Sequence, residues 1–347
     1  MTPWSAFRDG VRRVNAAPLL LAGMVAVTLL IALPLSFALR GMIEEHLGRS
    51  LAADAVEAGT SSDWWQEFSA QASGLGKTFA PSIIGFEAVL DNVSGLLDNL
   101  PLAATITGAT GAWMVVWSFL SGGVLDRLAR ARPTRAHGFF AACGIYFWRF
   151  LRLGAVAGLI YYLLFAYVHD LIFVDLYESL TRDLSAERTA FAVRVACYLL
   201  FGSMLAAATL VFDYARIRIV VEDRRSALGG LAAGLRFVRR HAGGTIGLYL
   251  LNAAAYLLVV LVYAAVAPGT PRSGFSIWLV LAIGQIYIVV RHYLKLVFYG
   301  SETAYFQGAL AHAAYAAGPP IVWPDSPAAE AIGNADAAVL RRLLPNQ

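Results

Sequence analysis

The chain has 347 residues, of which 59% are hydrophobic and only 14% charged, and it carries a formal net charge of +4. A charged fraction so far below the roughly 25% usual for soluble domains excludes a water-soluble globular protein and marks a polytopic membrane protein. Its two cysteines, Cys143 and Cys197, lie in apolar segments and give neither metal-ligand spacing nor a disulfide framework, so both read as packing residues.

Six apolar stretches have about the 20 residues that a bilayer crossing needs: 18–39, 101–121, 151–169, 190–212, 244–267 and 275–297. The first follows a basic leader with Arg8, Arg12 and Arg13 and could be mistaken for a signal peptide. Its apolar run is longer than the roughly 7–15 residues of a signal core, so it reads as a retained span. The expected fold class is all-α, a polytopic membrane helical bundle of six spans in repeated hairpins, with amphipathic interfacial helices and a helical outer loop. Residues 1–39 form the N-terminal interfacial helix and first span, 40–100 the outer loop, 101–300 the transmembrane bundle with basic loops, and 301–347 a tail.

In the outer loop, Ser61 and Ser62 can cap a short helix bearing Trp64, Trp65 and Phe68, with the tryptophans as interface anchors. Ile83, Phe86, Leu90, Val93, Leu97 and Leu100 recur at helical spacing. Before the third span, 137–150 reads as an interfacial helix whose Arg149 and Arg152 reach for headgroups. The sequence DLIFVDLYESL in 170–189 predicts another outer helix. Between the fourth and fifth spans lies Asp213 to His241, with seven arginines: Arg216, Arg218, Arg224, Arg225, Arg236, Arg239 and Arg240. Leu228, Leu231, Leu235 and Val238 form an apolar stripe there, so the segment reads as a basic amphipathic helix lying at the phosphate plane. From Ser301 to Ala317 one more surface helix is expected, followed by a proline-rich arm and a weak terminal helix.

Arginine placement sets the orientation. With the N-terminus inside, most arginines fall on the cytoplasmic side and the acidic residues of 44–98 and 170–187 fall outside, which places both termini in the cytoplasm. Arginine outnumbers lysine so heavily (Lys77 and Lys295 are the only lysines) that a GC-rich bacterial genome, and hence a bacterial inner membrane, is expected.

An internal repeat supports the hairpin reading. Residues 127–159 overlay 218–250 without gaps, placing Arg127 on Arg218, Gly138 on Gly229, Ala142 on Ala233 and Arg149 on Arg240. A second overlay sets Gly10, Arg12 and Val14 on Gly234, Arg236 and Val238, and a third sets Tyr293, Lys295 and Glu302 under Tyr214, Arg216 and Asp223. The expectation is a pseudo-threefold arrangement of hairpins with a belt of helices on the inner side.

Polar residues within the spans are few. Asn252 and Gln285 could bond to each other across a helix pair, and Asp213 with Arg216 one turn on gives an intrahelical ion pair. Glu44-Glu45-His46-Leu47-Gly48-Arg49 and Phe165-Ala166-Tyr167-Val168-His169 resemble the first two motifs of the CAAX-type intramembrane proteases; the third motif, a histidine followed by Asn or Asp, is missing. Asp213-Tyr214-Ala215-Arg216-Ile217 with Glu222-Asp223-Arg224 resembles poorly characterised bacterial multi-pass inner-membrane families and the membrane portion of some glycerophosphodiester phosphodiesterases, whose soluble catalytic domain this chain lacks. These readings imply a non-enzymatic membrane component, a scaffold or accessory subunit without cofactor or metal. Its seven-arginine face would bind anionic phospholipid or a partner protein, and nucleic acid is not expected. The alternative is a small-molecule or lipid transporter with a cavity between the hairpins.

Overall fold

A computed structural model of the chain describes residues 1–51, 54, 56, 61–79, 86–100, 104–267 and 275–310. It is 88% helical with no strand among the described residues. The helices are α1 (Pro3–Asn15), α2 (Pro18–Leu47), α3 (Ser62–Gln71) and α4 (Phe86–Leu97). Next come α5 (Ala104–Arg130), α6 (Ala136–Thr181) and α7 (Glu187–Val221). The last are α8 (Ala227–Arg240), α9 (Ala242–Val266) and α10 (Phe275–Ala309). Six of them (α2, α5, α6, α7, α9 and α10) are long and apolar enough to cross a bilayer. Their flanks are exposed hydrocarbon, with Leu30 at 71% exposure, Leu199 at 70% and Trp278 at 68%, as side chains solvated by lipid should be.

The core lies at one end of the bundle. Ala6 and Val14 of α1, Leu125 and Leu128 of α5, Tyr146 of α6, Phe212 to Val221 of α7, Phe237 of α8 and Leu296 to Phe306 of α10 are buried together there. A small second cluster of Ile172, Cys197 and Phe201 sits toward the far end. The three helices that run toward the core end, α5, α7 and α10, touch one another. Each is clasped by an amphipathic segment: α8 on α7, the first half of α6 on α5, and α1 on α10. The N-terminal helix thus takes the place of the segment that would follow the last span, closing a ring of three similar units.

Small residues make the clasps possible. A Cβ on Gly234 would lie 2.9 Å from the Ala215 backbone nitrogen, and one on Gly123 would lie 2.6 Å from Cys143 Sγ. In the overlay of 127–159 on 218–250, Cys143 occupies the place of Gly234, and the same shift carries Gly123 to Tyr214, one residue before Ala215, so the two close approaches fall within one residue of each other. The third overlay needs correction. Gly10 meets Ser301 where Gly234 meets Ala215. The equivalence along α10 therefore lies about two turns beyond the one that pairs Tyr293 with Tyr214.

Two expected helices are continuations instead. Residues 137–150 and 170–181 both belong to α6, a single 46-residue helix with π-helical stretches at Leu164–Val168 and Leu171–Leu176. Breaks do occur at the equivalent points after α1 and α8. Ala17 (φ −138°, ψ 55°) precedes Pro18, and His241 (φ −120°, ψ 31°) precedes Ala242 and the pair Gly243-Gly244. The corresponding Arg149-Phe150-Leu151 contains no breaker, so the α-helical ladder runs on. Residues 301–309 end α10, and Ser301 to Gln307 are buried; the expected surface helix is core as far as Gln307, and residues 311–347 lie outside the described residues.

At the far end, α3 packs on the end of α2 through Trp64 stacked on Phe68 at 5.2 Å, with His46 edge-on to both. Trp64 is 6% exposed and belongs to this small cap core, not to an interfacial belt. The α4 end docks on α6 and α7. Leu97 O lies 3.0 Å from His169 Nε2, Asn99 donates to Phe165 O at 3.2 Å, and Tyr198 donates to Asp98. Ile83 of the expected apolar stripe lies outside the described residues.

Candidate functional site

Where α5, α7 and α10 converge, the apolar core encloses charged groups. Asp213 Oδ1 accepts from Arg216 Nη1 at 2.9 Å, and the same nitrogen lies 3.4 Å from Tyr299 OH. Tyr299 stacks on Trp117 at 6.0 Å, and Lys295 Nζ sits 3.9 Å from the Trp117 ring centre, a cation–π contact. One turn past Tyr299, Glu302 is 1% exposed and neither of its oxygens meets a hydrogen-bond donor among the described residues. Its electrostatic neighbours are Asp213 and Arg216. Two acids and two bases therefore share one buried junction of three helices. Buried charges are costly unless matched, and within the junction Asp213 and Arg216 match each other directly.

Asn252 belongs to the same neighbourhood. It donates to Ser301 Oγ at 3.0 Å and to Leu248 O at 3.1 Å, tying α9 to α10. Gln285 does not take part: it is exposed on α10, so the expected Asn252–Gln285 bridge is not formed. Helix register explains this, since Ser301 brings the buried face of α10 to Asn252 while Gln285 lies more than four turns earlier on a lipid-exposed flank.

The seven arginines divide into two groups. Arg216 is taken up by Asp213. Arg218 bonds Glu222 at 2.6 Å and Ala233 O at 2.9 Å, with its guanidinium over the Phe306 ring, and Arg224 bonds Glu222. Burial pushes the Glu222 carboxyl up, but hydrogen bonds from Arg218 and Arg224 outweigh it and hold it below the usual carboxylate range. Of these three arginines, Arg218 ties α7 to α8 through Ala233 O, while Arg216 and Arg224 are engaged by Asp213 and Glu222. Arg225, Arg236, Arg239 and Arg240 are exposed and have no acidic partner among the described residues. Helix α8 explains the split. Ser226 caps it, accepting from Gly229 N at 3.1 Å, and the small face Ala227, Gly230, Ala233, Gly234 with Phe237 is buried on α7. Leu228 (64% exposed) and Leu235 (44%) point outward beside the unpaired arginines. The A-x-x-G-x-x-A-G spacing that marks the buried face was present in the sequence but is outweighed there by the leucine stripe.

A cleft of about 200 Å³ opens at the end of α8, lined by Arg218, Arg236, Phe237, Arg240, His241 and Leu310. No cluster of His, Cys, Asp and Glu among the described residues could hold a metal ion. The protease-like motifs do not assemble. Glu44 and Glu45 pair on their own helix with Arg40 and Arg49, whereas His169 bonds Leu97 O and stacks on Phe173 at 4.6 Å.

Fold and site together define an all-α, multi-pass membrane protein with a charged junction and a basic face at one end. No protein-family model, curated protein or solved structure matches the chain.

Proposed function

We propose that this chain is a non-enzymatic scaffold or accessory subunit of a bacterial inner membrane, with both termini cytoplasmic, that binds anionic phospholipid through the basic end of its bundle. One observation carries the reading: Arg225, Arg236, Arg239 and Arg240 stand exposed, without acidic partners among the described residues, beside outward Leu228 and Leu235. Leucines in the acyl boundary with guanidinium groups at the phosphates is the arrangement an anionic leaflet rewards, at about 1 kcal/mol per cation. The full chain, purified from mixed phosphatidylglycerol and phosphatidylcholine and weighed intact by native mass spectrometry, should retain phosphatidylglycerol preferentially. That preference should weaken as salt rises. Equal retention of the two lipids would contradict the proposal.

The buried junction favours a second reading, a transporter, because ionisable groups among spans commonly mark substrate paths. Glu302, unpartnered and enclosed, is the specific support. A Glu302→Cys variant that reacts with a small water-soluble thiol reagent would support a water path to the junction; an inert one would count against it.

A further inference from the structure

We infer that the cleft at the end of α8 is a discrete binding site for one phosphate group carried on an apolar molecule. This deepens the lipid reading above and rests on it.

Three guanidinium groups from two helices converge on this cleft. Arg218 comes from α7, and Arg236 and Arg240 stand one turn apart on α8, with His241 at the helix end. The helix dipole accounts for Arg239 and Arg240, which occupy the last turn, where cations are favoured without any ligand. It does not account for Arg236 a turn earlier, nor for a third arginine brought from another helix. Like charges at i and i+4 repel, so an uncompensated Arg236–Arg240 pair beside Arg218 is an arrangement that an anion relieves. Nor is the compensation internal. Among the described residues the carboxylate bonded to Arg218 is Glu222, which also accepts from Arg224.

Arg218 is also held ready. Its contacts to Glu222 and Ala233 O and its stacking on Phe306 fix the guanidinium, so little side-chain entropy is lost on binding. Phosphate suits the site because the exposed guanidinium forks of Arg236 and Arg240 can donate to it in pairs, with Arg218 adding a fixed positive charge. The remaining walls, Phe237 and Leu310, are apolar and offer nothing to a fully hydrated ion, but they suit the glycerol and first methylenes of a lipid. The volume far exceeds the roughly 30 Å³ share of one water and admits a headgroup phosphate.

The test uses the full chain in detergent, delipidated and titrated with phosphatidylglycerol, with phosphatidylcholine and with inorganic phosphate, counting bound molecules by native mass spectrometry. Wild-type protein should hold one phosphatidylglycerol more tightly than the rest, and millimolar inorganic phosphate should not displace it. In Arg236→Gln/Arg240→Gln the affinity of that one molecule should fall at least about tenfold. In Arg132→Gln/Arg135→Gln, which alters exposed arginines outside the cleft, it should change less than about twofold. All four side chains are exposed, and matching thermal unfolding of both variants confirms folding. Equal losses in the two variants would overturn the discrete site while leaving a diffuse basic face intact. No loss in either would overturn both. Displacement by inorganic phosphate would assign the site to a soluble phosphate and overturn the apolar attachment.

Discussion

Gly10 lies so close to Ser301 that a Cβ on the glycine would sit 2.8 Å from the serine Cβ. This contact joins the first helix to the last and closes the ring of three clasped hairpins. It works only because neither chain has a side chain in the way: Gly300, beside Ser301, faces Gly10 at 3.2–3.6 Å in the same manner. Arg13 reinforces it from α1, donating to Leu128 O at 3.0 Å and to Gln307 Oε1 at 2.8 Å, while Gln307 donates to Ala129 O at 3.1 Å. The last carbonyls of α5, which a helix end leaves unpaired, thereby find donors from both α1 and α10.

Replacing Gly10 with valine should therefore separate α1 from α10 and destabilise the protein by about 1–3 kcal/mol, the range of overpacked cores. Gly23→Ala, at a glycine with open space around it, should leave stability unchanged or slightly higher. Thermal unfolding midpoints in one detergent compare the two. A neutral Gly10→Val would show that the ring is not closed there.

Asp213→Asn should remove the partner of Arg216 within the junction. The Asp213 side chain is 10% exposed and that of Arg216 is 26% exposed, so the pair is only partly screened. Loss of a charge-assisted bond in such a place should cost about 1.5–3 kcal/mol. The double variant Asp213→Asn/Arg216→Met should recover part of the loss, because it leaves no unpaired cation. Urea or thermal unfolding of wild type and the two variants reads this out, and a double variant no more stable than Asp213→Asn would contradict it.

Much of the fold is legible from hydropathy. All six spans were readable because lipid leaves no other arrangement for long apolar runs. Their ends were not. The first span continues to Leu47, carried past the apolar run by an Arg40–Glu44 ion pair at 2.7 Å on its surface. Ser301, Glu302 and Thr303 look like surface residues in sequence, yet all three are almost fully buried, because Gly10 and Gly300 let backbones approach closely enough to enclose them. The continuity of α6 was missed, because Arg149 and Arg152 interrupt the apolar run and make 137–150 read as a separate interfacial helix, although Phe150-Leu151-Arg152-Leu153 holds no proline or glycine to break it. Of the candidate site, the arginines were visible but their division was not. Which guanidinium meets Glu222 depends on how α7 turns into α8, where Asp223 adopts φ 49°, a left-handed conformation that no pattern of spacing reveals.

The far-end cap should respond to acid. The hydrogen bond from Tyr198, helped by Ser94 and the charge of Arg194, outweighs burial and holds the Asp98 carboxyl below its usual range near 3.8. A carboxyl whose pKa is lower folded than unfolded contributes stability that is fully present above the unfolded pKa and is lost as pH falls through the folded one. Tyr198→Phe should accordingly be less stable than wild type at neutral pH. The difference should shrink as pH drops below about 4. Unfolding midpoints across that range give the answer, and a difference independent of pH would remove Asp98 from the link between α4 and α7.

Arg218→Lys should loosen α8 from α7 despite keeping the charge. A lysine ammonium cannot span Glu222 and Ala233 O while lying flat on Phe306 as the guanidinium does. Amide hydrogen exchange in 227–240 should rise by about tenfold, the equivalent of about 1.4 kcal/mol. Unchanged protection there would show that the small-residue face alone holds the helix.

The lipid proposal depends above all on which side of the membrane the basic end occupies. Cysteine accessibility tests this directly, since the native Cys143 and Cys197 are both buried. In intact cells a membrane-impermeant maleimide should label Ser69→Cys, on the exposed face of α3, and should leave Arg225→Cys unlabelled until the cells are permeabilised. Labelling of Arg225→Cys in intact cells would put the arginine face outside and contradict the account.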